Sequence, residues 1–532
     1  MSSAIPQKAD VIVVGAGATG IAMAARLAEA GKRVVIFEAG PARSAANMVS
    51  STLHARRLKW SGPRVIEEGS NPVGHVFNTG FGVGGSAIHH YAVWPRMHEE
   101  DFEMRSRYGR GLDWPLRYSQ LAPYYDQIQS EAGVSGDATQ EIWRPEGAPY
   151  PMPGVPLFAQ GKTIARGFLK LGKRVAPLPL AVTSVAYRGR AACIWDGWCD
   201  AGCPIGALAN PLTIHLPRAL NAGATLITDT AVTLLKTNEE GTRVAGVEVL
   251  AADLRRHTVT AEVVVLAAFA IENPRLLLAS ANQRHPTGLG NANDLVGRYI
   301  MIHSAGLVYG LFDEDTECHM GAFGGQLLNQ DSYPKRTHGA RNAFGSYQWM
   351  IAQAVKPNDL LGIAMTRPDL YGKRLDDFMR RAARGFAGMQ AVCETLPVAD
   401  NRVLLAAQTD DNGARLARVI HTTHESSNEL WRASLEEGKA VMAAAGAAEV
   451  WTGPQAAMHI MGGTIMGRSA RESVTDQHGE VHGIANLFIT GPGLFPTSGG
   501  VNPTFTAHAL AARAAEVMVR RLEAPNIQAS AA

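Results

Sequence analysis

The chain has 532 residues, of which 46% are hydrophobic and 18% charged, and its formal net charge is +2. A chain of this length exceeds one ordinary hydrophobic core, so we expect two or more domains. Acidic and basic residues are interspersed, which argues against a nucleic-acid-binding protein. The longest apolar run, residues 263–271, is about half of the roughly eighteen residues that a membrane helix needs, so no membrane span is expected.

The first ten residues, MSSAIPQKAD, contain one lysine and no apolar stretch. Because a secretory signal needs an apolar segment, none is predicted. We therefore expect a cytoplasmic protein, unless a partner subunit with its own signal carries the folded chain out of the cell. The alanine-rich tail, residues 524–532, is expected to fray.

Residues 11–38, VIVVGAGATGIAMAARLAEAGKRVVIFE, have the strand, glycine-rich turn, helix and strand of a dinucleotide-binding motif. Gly15 and Gly17 permit a tight turn close to a pyrophosphate, and Gly20 permits close packing of the helix. Glu38 is placed to accept hydrogen bonds from an adenosine ribose. The motif alone does not separate NAD from FAD. The residues predicted to contact the nucleotide here are Gly15, Gly17, Ala18, Thr19, Gly20, Glu38 and Ala39.

A second glycine-rich segment, residues 77–96, reads FNTGFGVGGSAIHHYAVWPR. Each glycine loses much conformational freedom on folding, so this density indicates a place where the backbone approaches a large ligand. A mobile surface loop is the alternative. The aromatic and apolar residues within the segment favour burial.

The rest of the chain is predicted from periodicity and turn residues. Ser119 is a candidate N-cap of an amphipathic helix, and Pro274 is expected to open another. Residues 41–75 are expected to be irregular, and residues 145–156 form a proline- and glycine-rich connector. The predicted strands are Ala224–Thr230, Val244–Leu250, Ala261–Ala268, Arg402–Ala407, Ala414–His421 and Asn486–Thr490, and further helices cover Ser427–Ala445 and the chain from about Thr506.

Two residues near the C-terminal end could serve catalysis: His459 in AAMHIMGGTIMG and Asn502 in PTSGGVNPTFTAHALA. A histidine in an apolar stretch is more often a packed core residue than a catalyst, so His459 carries little weight by itself. Four further histidines could line a substrate pocket or lie at the surface: His303, His319, His421 and His424.

Several motifs, in this order, together resemble the glucose-methanol-choline (GMC) oxidoreductases. They are the motif of residues 11–38, GVGGS, DWP, AEVVVLAAFAIENPRLLLAS, GLGNANDLVGRYI and HIMGGTIMG…NLFITGPGLFPTSGGVNPTFTAHALA. The nearest branch contains gluconate, fructose and sorbitol dehydrogenase flavoprotein subunits and pyranose oxidases. The resemblance implies FAD rather than NAD, and an α/β fold with a Rossmann-like FAD-binding domain and an α+β substrate domain built on an antiparallel sheet.

The implied FAD-binding domain is discontinuous and comprises residues 1–96, 215–300 and 455–532. Residues 97–214 and 301–454 form the substrate-binding domain and lid segments. Three departures from the family pattern affect the expected flavin contacts more than the fold. Phe269 stands where relatives mostly have glycine, residues 491–493 read Gly-Pro-Gly instead of Asp-Gly-Ser, and Ser280 is not followed by glycine.

By this resemblance His459 matches the family's catalytic histidine and Asn502 its His-or-Asn partner. A neutral imidazole, whose ordinary pKa is about 6.5, can take the hydroxyl proton as hydride leaves for flavin N5. An amide can donate a hydrogen bond to the substrate oxygen. The resemblance also places these residues beside FAD: Gly84, Gly85, Ser86, His89, Val232, Gly491, Asn502, Pro503 and Thr504.

His89 lies where pyranose oxidases carry a histidine joined covalently to the flavin, and both a covalent bond and a packing role stay open. Cys193, Cys199 and Cys203 lie within eleven residues, in a context where some dehydrogenase subunits of this branch hold a three-iron cluster. Five cysteines are not a disulfide framework for a chain of this size. We favour simple packing of these thiols, and assign no metal ligand.

The predicted function is FAD-dependent oxidation of a sugar, polyol, glycoside or related secondary alcohol. Oxygen, a quinone or a protein carrier would accept the electrons. The alternatives are the flavoprotein subunit of an electron-transfer complex, a redox-silent lyase of the same family and, with least support, an NAD-dependent dehydrogenase. No feature of the sequence predicts an oligomeric state.

Overall fold

The structure is a computed structural model that describes residues 5–338 and 342–523. The tail expected to fray lies outside these residues. No helix in the described part of the chain is long and apolar enough to cross a bilayer. The strands are β1 (Lys8–Val14), β2 (Val34–Phe37), β3 (Ile66–Glu68), β4 (Ala176–Pro177), β5 (Thr225–Ile227), β6 (Ala231–Thr237), β7 (Val244–Leu250), β8 (Arg256–Leu266), β9 (Met301–Leu311), β10 (Leu327–Asn329), β11 (Arg336–His338), β12 (Ala343–Gly345), β13 (Tyr347–Ile351), β14 (Phe386–Cys393), β15 (Arg402–Thr409), β16 (Arg415–Ile420), β17 (Glu449–Thr452), β18 (Ala456–Met461) and β19 (Leu487–Ile489).

The α-helices are α1 (Ala18–Glu29), α2 (Thr52–Arg57), α3 (His75–Asn78), α4 (Met104–Tyr108), α5 (Tyr118–Ala132), α6 (Ala159–Lys170), α7 (Pro211–Ile214), α8 (Leu216–Asn221), α9 (Phe269–Ala279), α10 (Pro357–Ala364), α11 (Lys373–Gly385), α12 (Glu425–Ala445) and α13 (Thr504–Glu523).

A mostly parallel sheet that contains β1 and β2 forms the first layer of the molecule. Its strand order is β5-β2-β1-β8-β7-β6, and β19 pairs with the end of β8. β1 runs parallel to both β2 and β8, whereas β7 is antiparallel to β6 and β8. The apolar end of β1 is buried, as expected for a central parallel strand covered on both faces. The small residues of α1 are buried because this helix packs closely against α8 and α13.

An antiparallel sheet forms the second layer, with strand order β17-β9-β14-β13-β10-β4. The long strand β9 also pairs with β18, and α12 packs against β9 and α6. The predicted fold class, a Rossmann-like domain with an α+β domain built on an antiparallel sheet, is confirmed. The proposed domain boundaries remain a prediction; β18, from the C-terminal segment, lies in this second sheet.

Two helices begin elsewhere than the sequence pattern suggests. Ser119 does not cap α5: the helix starts at Tyr118, and the side-chain oxygen of Gln120 accepts the hydrogen bond of the Arg117 N–H at 2.9 Å. Pro274 does not open α9 but lies inside it, because the helix already begins at Phe269. Both predictions were wrong because a side chain further along each helix accepts a hydrogen bond from the N-cap N–H, Gln120 in α5 and Asn273 Oδ1 at 2.8 Å from the Ala268 N–H in α9, a choice that local propensity does not encode.

The strand predictions differ in extent. The predicted strand Ala224–Thr230 is the shorter β5, which is followed at once by β6, a strand that the sequence reading missed. Residues 41–75 are not wholly irregular, because they contain α2 and β3. β3 pairs in parallel with β16, some 350 residues away. Such long-range pairing leaves no local periodicity to recognise.

A buried ion cluster supports the loop that precedes α13. The Lys335 ammonium lies 2.6 Å from Asp101 Oδ1 and 2.8 Å from Glu394 Oε2, and all three side chains are buried. Tyr333 donates a hydrogen bond to Asp101 at 2.6 Å and accepts one from the Gly500 N–H at 3.0 Å. Burial alone would lower the pKa of Lys335, but Asp101 and Glu394 outweigh it and raise this pKa, so the amine stays charged.

We expect Lys335→Met to lower the free energy of unfolding by about 3–5 kcal/mol, because it leaves two carboxylates without their buried cation. Urea unfolding followed by tryptophan fluorescence measures this. Lys439→Met is the matched control, since the Lys439–Glu436 pair is exposed and its loss is expected to cost less than about 0.5 kcal/mol. Equal effects of the two substitutions would contradict the stabilising role of the cluster.

Candidate active site

A cavity of about 680 Å³ lies between the two sheets. Its wall is formed at one end by the β1–α1 turn and the end of β2, and at the other by β9 and β18. A crevice beyond the carboxyl ends of parallel strands is the usual place for a dinucleotide. The volume lies within the range of small-molecule and cofactor sites.

The β1–α1 turn has the shape needed for a pyrophosphate. The N-terminus of α1 has no side-chain cap, since its N-cap is Gly17, and a Cβ placed on Gly17 would meet only the Ala267 carbonyl oxygen at 4.0 Å. Gly15, at φ +102°, leaves no such space, because its Cβ would lie 2.7 Å from the same oxygen. The open backbone N–H groups and the helix dipole therefore face the cavity, as an anion requires.

Glu38 lies at the end of β2, where the sequence places the ribose acceptor. Its Oε2 accepts a hydrogen bond from the Ala16 N–H and its Oε1 one from the Gly40 N–H, both at 2.8 Å. Each oxygen keeps a second lone pair, so the carboxylate can still accept hydrogen bonds from the hydroxyl groups of a ligand in the cavity. Glu38 thus fixes the nucleotide turn and lines the cavity at the same time.

The GVGGS loop packs against that turn. The Gly84 N–H donates to the Ala16 carbonyl at 2.8 Å, and a Cβ on Gly85 would lie 3.0 Å from the Gly17 Cα. Gly20 and Gly84 pack within the protein and do not line the cavity. The predicted cofactor residues that do line it are Gly15, Gly17, Ala18, Thr19, Glu38, Ala39, Gly85, Ser86, His89, Val232, Gly491, Asn502, Pro503 and Thr504.

His459 projects from an irregularity in β18. Pairing of β18 with β9 shifts register between Met458 and Met461, and His459 lies in this bulge with φ +57°. This left-handed conformation is costly for a non-glycine residue, and such strain concentrates at functional sites. The bulge orients the His459 ring so that it forms part of the cavity wall.

Asn502 meets His459 from the opposite layer. Its Nδ2 lies 3.3 Å from His459 Nε2, and both side chains line the cavity. The Asn502 Oδ1 accepts a hydrogen bond from Gln348 at 2.9 Å, and Gln330 in turn donates to Gln348 at 2.9 Å. These side-chain hydrogen bonds orient Asn502 so that its amide N–H groups face the imidazole of His459.

His303, one of the four histidines without a motif, is the inner neighbour of His459. Its Nδ1 lies 2.9 Å from His459 Nδ1, and its Nε2 lies 2.7 Å from the Gly499 carbonyl oxygen. Burial lowers the pKa of His303 to about 4. Burial and then the neighbouring His303 hold the pKa of His459 well below its ordinary value of 6.5, so both rings are neutral at neutral pH.

The other three histidines do not join this pair. His319 is exposed, His421 is buried with its Nδ1 2.7 Å from the Asn71 carbonyl oxygen, and His424 caps α12. Sequence reasoning missed Gln348, which belongs to no recognisable motif, and named His303 only as one of four candidate histidines.

His89 lies in the cavity wall with Lys59 beside it. The Lys59 ammonium lies 3.0 Å from His89 Nδ1, and His89 Nε2 is buried without a hydrogen-bond partner in the protein. Burial lowers the pKa of Lys59 to about 8, so the amine remains a donor at neutral pH. Burial and the nearby Lys59 hold the pKa of His89 well below 6.5.

The three neighbouring cysteines contact backbone groups. The Trp195 N–H donates to Cys193 Sγ and the Leu208 N–H to Cys203 Sγ, both at 3.3 Å. Burial raises the pKa of Cys193 to about 12, which keeps it a neutral thiol. Among residues 5–338 and 342–523, no group of three or more His, Cys, Asp or Glu side chains could hold a metal ion.

The uncapped helix, the nucleotide turn and the imidazole–amide pair under a covering sheet define a dinucleotide-binding oxidoreductase. The family model described as GMC oxidoreductase matches residues 9–305 and 361–511. The chain belongs to the GMC oxidoreductase family. The predictions of this family and of an FAD-dependent oxidoreductase acting on alcohol groups are confirmed.

Similar proteins span nearly the whole chain. The fructose dehydrogenase large subunit of Gluconobacter japonicus is 30% identical, covering 97% of this chain and 98% of that protein. The 2-methyl-1,2-propanediol dehydrogenase of Mycolicibacterium austroafricanum is also 30% identical, covering 96% and 95%. A formate oxidase structure from Aspergillus oryzae, whose FAD modification was studied, superposes with a TM-score of 0.68 at 15% identity over 98% of this chain and 99% of that one.

We expect Gly17→Val to weaken cofactor binding strongly while the protein stays folded, because a Cβ at this position of the cavity wall meets only the Ala267 carbonyl oxygen, at the ordinary contact distance of 4.0 Å. The bound FAD per chain, measured from the visible spectrum of the purified protein, should fall at least about tenfold, which requires a more than tenfold increase in the Kd for FAD. Gly362→Val, at an open position on α10, is the matched control and should keep its FAD. A fully yellow Gly17→Val protein would refute this role of the turn.

Proposed function

We propose that this protein oxidises an alcohol group of a sugar, polyol, glycoside or related secondary alcohol, with His459 as the base and Asn502 as the hydrogen-bond donor. The observation that carries the proposal is the meeting of His459 Nε2 and Asn502 Nδ2, 3.3 Å apart, at the wall of the cavity. The two relatives described above act on a ketose and a diol by name, which supports an alcohol substrate.

The two side chains divide the work on the substrate hydroxyl. The alcohol O–H donates to His459 Nε2, while its oxygen accepts a hydrogen bond from Asn502 Nδ2 and is held in place. His459 is neutral at neutral pH, because burial opposes its cation, so it can accept the proton as the C–H bond breaks. FAD, when bound, supplies the acceptor for the hydride.

The wall around this pair is suited to a small polyhydroxylated substrate. It combines apolar surface from Leu307, Met350 and Met458 with the amide of Gln390. Apolar surface can pack against the carbon chain, whereas the amide can bind a second hydroxyl group. Anaerobic bleaching of the bound flavin by a panel of sugars, polyols and simple alcohols tests this class. Failure of every member to bleach it would favour the redox-silent alternative.

We expect His459→Ala to keep its yellow cofactor but to reduce it about 10²–10⁴ times more slowly with the best alcohol of that panel, because the proton acceptor is lost. Stopped-flow spectrophotometry without oxygen measures the rate. His257→Ala, at an exposed position, is the control and should react like the native protein. Native-like reduction by His459→Ala would overturn the assignment of the base.

We further propose that His89 and the three cysteines form no covalent or cluster bond. Lys59 donates to His89 Nδ1, so the ring proton resides on Nε2, and neither nitrogen offers a free lone pair for attachment to a flavin. Among the described residues, the three thiols do not form part of any group of three or more His, Cys, Asp or Glu side chains that could hold a metal ion, and Cys193 and Cys203 accept backbone hydrogen bonds instead.

The cofactor should therefore separate from the chain in hot detergent, and the protein band on a denaturing gel should lack flavin fluorescence. Protein purified without oxygen should contain FAD but less than stoichiometric iron and sulfide. A fluorescent band would establish attachment, and stoichiometric iron with sulfide would establish a cluster.

We propose that oxygen, a quinone or a protein carrier accepts the electrons. One of the relatives described above is named a large subunit, and this name supports a protein carrier, namely a partner subunit that receives the electrons. Readmitting oxygen to the bleached protein separates the cases, since fast reoxidation indicates an oxidase and slow reoxidation a dehydrogenase. Cytoplasmic location likewise remains a proposal, which fractionation of cells would test.

A further inference from the structure

We propose that His303 fixes the ring tautomer of His459, so that His459 presents an unprotonated Nε2 to the cavity. His303 is thus a positioning residue that acts through His459 and touches no reacting atom. The chemical consequence rests on the proposed function, but the tautomer itself is a property of the resting protein.

The first step of the argument starts from an atom with only one possible role. The Gly499 carbonyl oxygen can only accept a hydrogen bond, and His303 Nε2 lies 2.7 Å from it. His303 Nε2 must therefore carry a proton. Because a neutral imidazole has one N–H, His303 Nδ1 is left with a bare lone pair.

In the second step, the proton position on His303 determines the proton position on His459. Its Nδ1 lies 2.9 Å from the bare Nδ1 of His303, so His459 Nδ1 must be the donor. The single proton of neutral His459 is then on Nδ1, and Nε2 has none. A hydrogen bond to one ring nitrogen commonly fixes the state of the other in this way.

The contacts on the far side of His459 agree with this assignment. Asn502 Nδ2, which can only donate, lies 3.3 Å from His459 Nε2. The orientation of the Asn502 amide is set separately, since its Oδ1 accepts a hydrogen bond from Gln348 at 2.9 Å. Two networks that reach His459 from opposite sides thus require the same tautomer.

The Gly499 carbonyl group, which begins the hydrogen-bond series through His303 to His459, is held in a fixed orientation. Gly499 has φ +60°, and a Cβ there would lie 3.0 Å from Met97 and 3.3 Å from Asp101. The neighbouring Gly500 N–H donates to Tyr333, which donates to Asp101 of the buried ion cluster. The cluster therefore fixes the direction of the Gly499 carbonyl, and through it the ring of His303.

The tautomer decides whether His459 can act as a base. With the proton on Nδ1, the substrate O–H bond can break and a new N–H bond can form at Nε2, giving an imidazolium whose Nδ1–H still donates to His303. With the proton on Nε2, a donor would face the substrate and no lone pair would be available. Loss of the correct tautomer removes general-base catalysis even though the histidine is present.

The experiment compares His303→Asn with His303→Leu. Asparagine and leucine have nearly the same shape, but only asparagine places an oxygen near the position of Nδ1, where it can accept from His459. The first readout is the nitrogen-15 spectrum of oxidised, substrate-free protein labelled in its histidine rings, with the His459 signals assigned from their loss in His459→Gln. The second readout is the rate constant of anaerobic flavin reduction by the best alcohol, determined separately from the affinity for that alcohol.

We expect His459 Nε2 to give the signal of an unprotonated ring nitrogen in the native protein and in His303→Asn, and a signal shifted towards the protonated form in His303→Leu. His303→Leu should reduce its flavin at least about 10² times more slowly, with unchanged substrate affinity, whereas His303→Asn should remain within about tenfold of the native rate.

Two results would overturn the proposal: a protonated Nε2 in the native protein, which needs no variant, or equal reduction rates for the asparagine and leucine variants. Failure of the proposed function looks different. In that case the native spectrum shows an unprotonated Nε2, but His459→Ala reduces its flavin at the native rate. Thermal melting and the visible spectrum of each variant show that any loss of rate occurs in folded, FAD-containing protein.

Discussion

The parallel pairing of β1 with β8 is the constraint on which the site depends. It joins Lys8–Val14 to Thr260–Leu266, segments some 250 residues apart, and brings their carboxyl ends to one edge of the sheet. The chain must turn at this edge within van der Waals distance of Ala267, which only a glycine at position 15 permits. The open start of α1, the reach of Glu38 and the position of the GVGGS loop all follow from this close approach.

Features that depend only on residues adjacent in the chain could be predicted from the sequence. The turn glycines and Glu38 follow from local pattern, because strand, turn and helix are adjacent in the chain. β7 was predicted with its observed bounds for the same reason. The identification of His459 and Asn502 rested on family motifs, since nothing in their local chemistry separates them from packed core residues.

The contacts of the site that could not be predicted join distant segments of the chain. His303 lies 156 residues before His459, and the structure brings them together only because β9 pairs with β18. Gln348 reaches Asn502 from β13 across 154 residues. Register between strands decides such contacts, and a shift of one residue would turn these side chains to the opposite face.

The two residues proposed to act on the substrate hydroxyl, His459 and Asn502, belong to different layers. His459 lies on a strand of the antiparallel sheet, whereas Asn502 lies just before α13, which packs on α1 beside the nucleotide turn. A hydroxyl group that contacts both side chains therefore requires the two layers to keep their present spacing. A small separation of the layers would lengthen the 3.3 Å distance between the His459 imidazole and the Asn502 amide, whereas the nucleotide turn, which lies within one layer, would keep its shape.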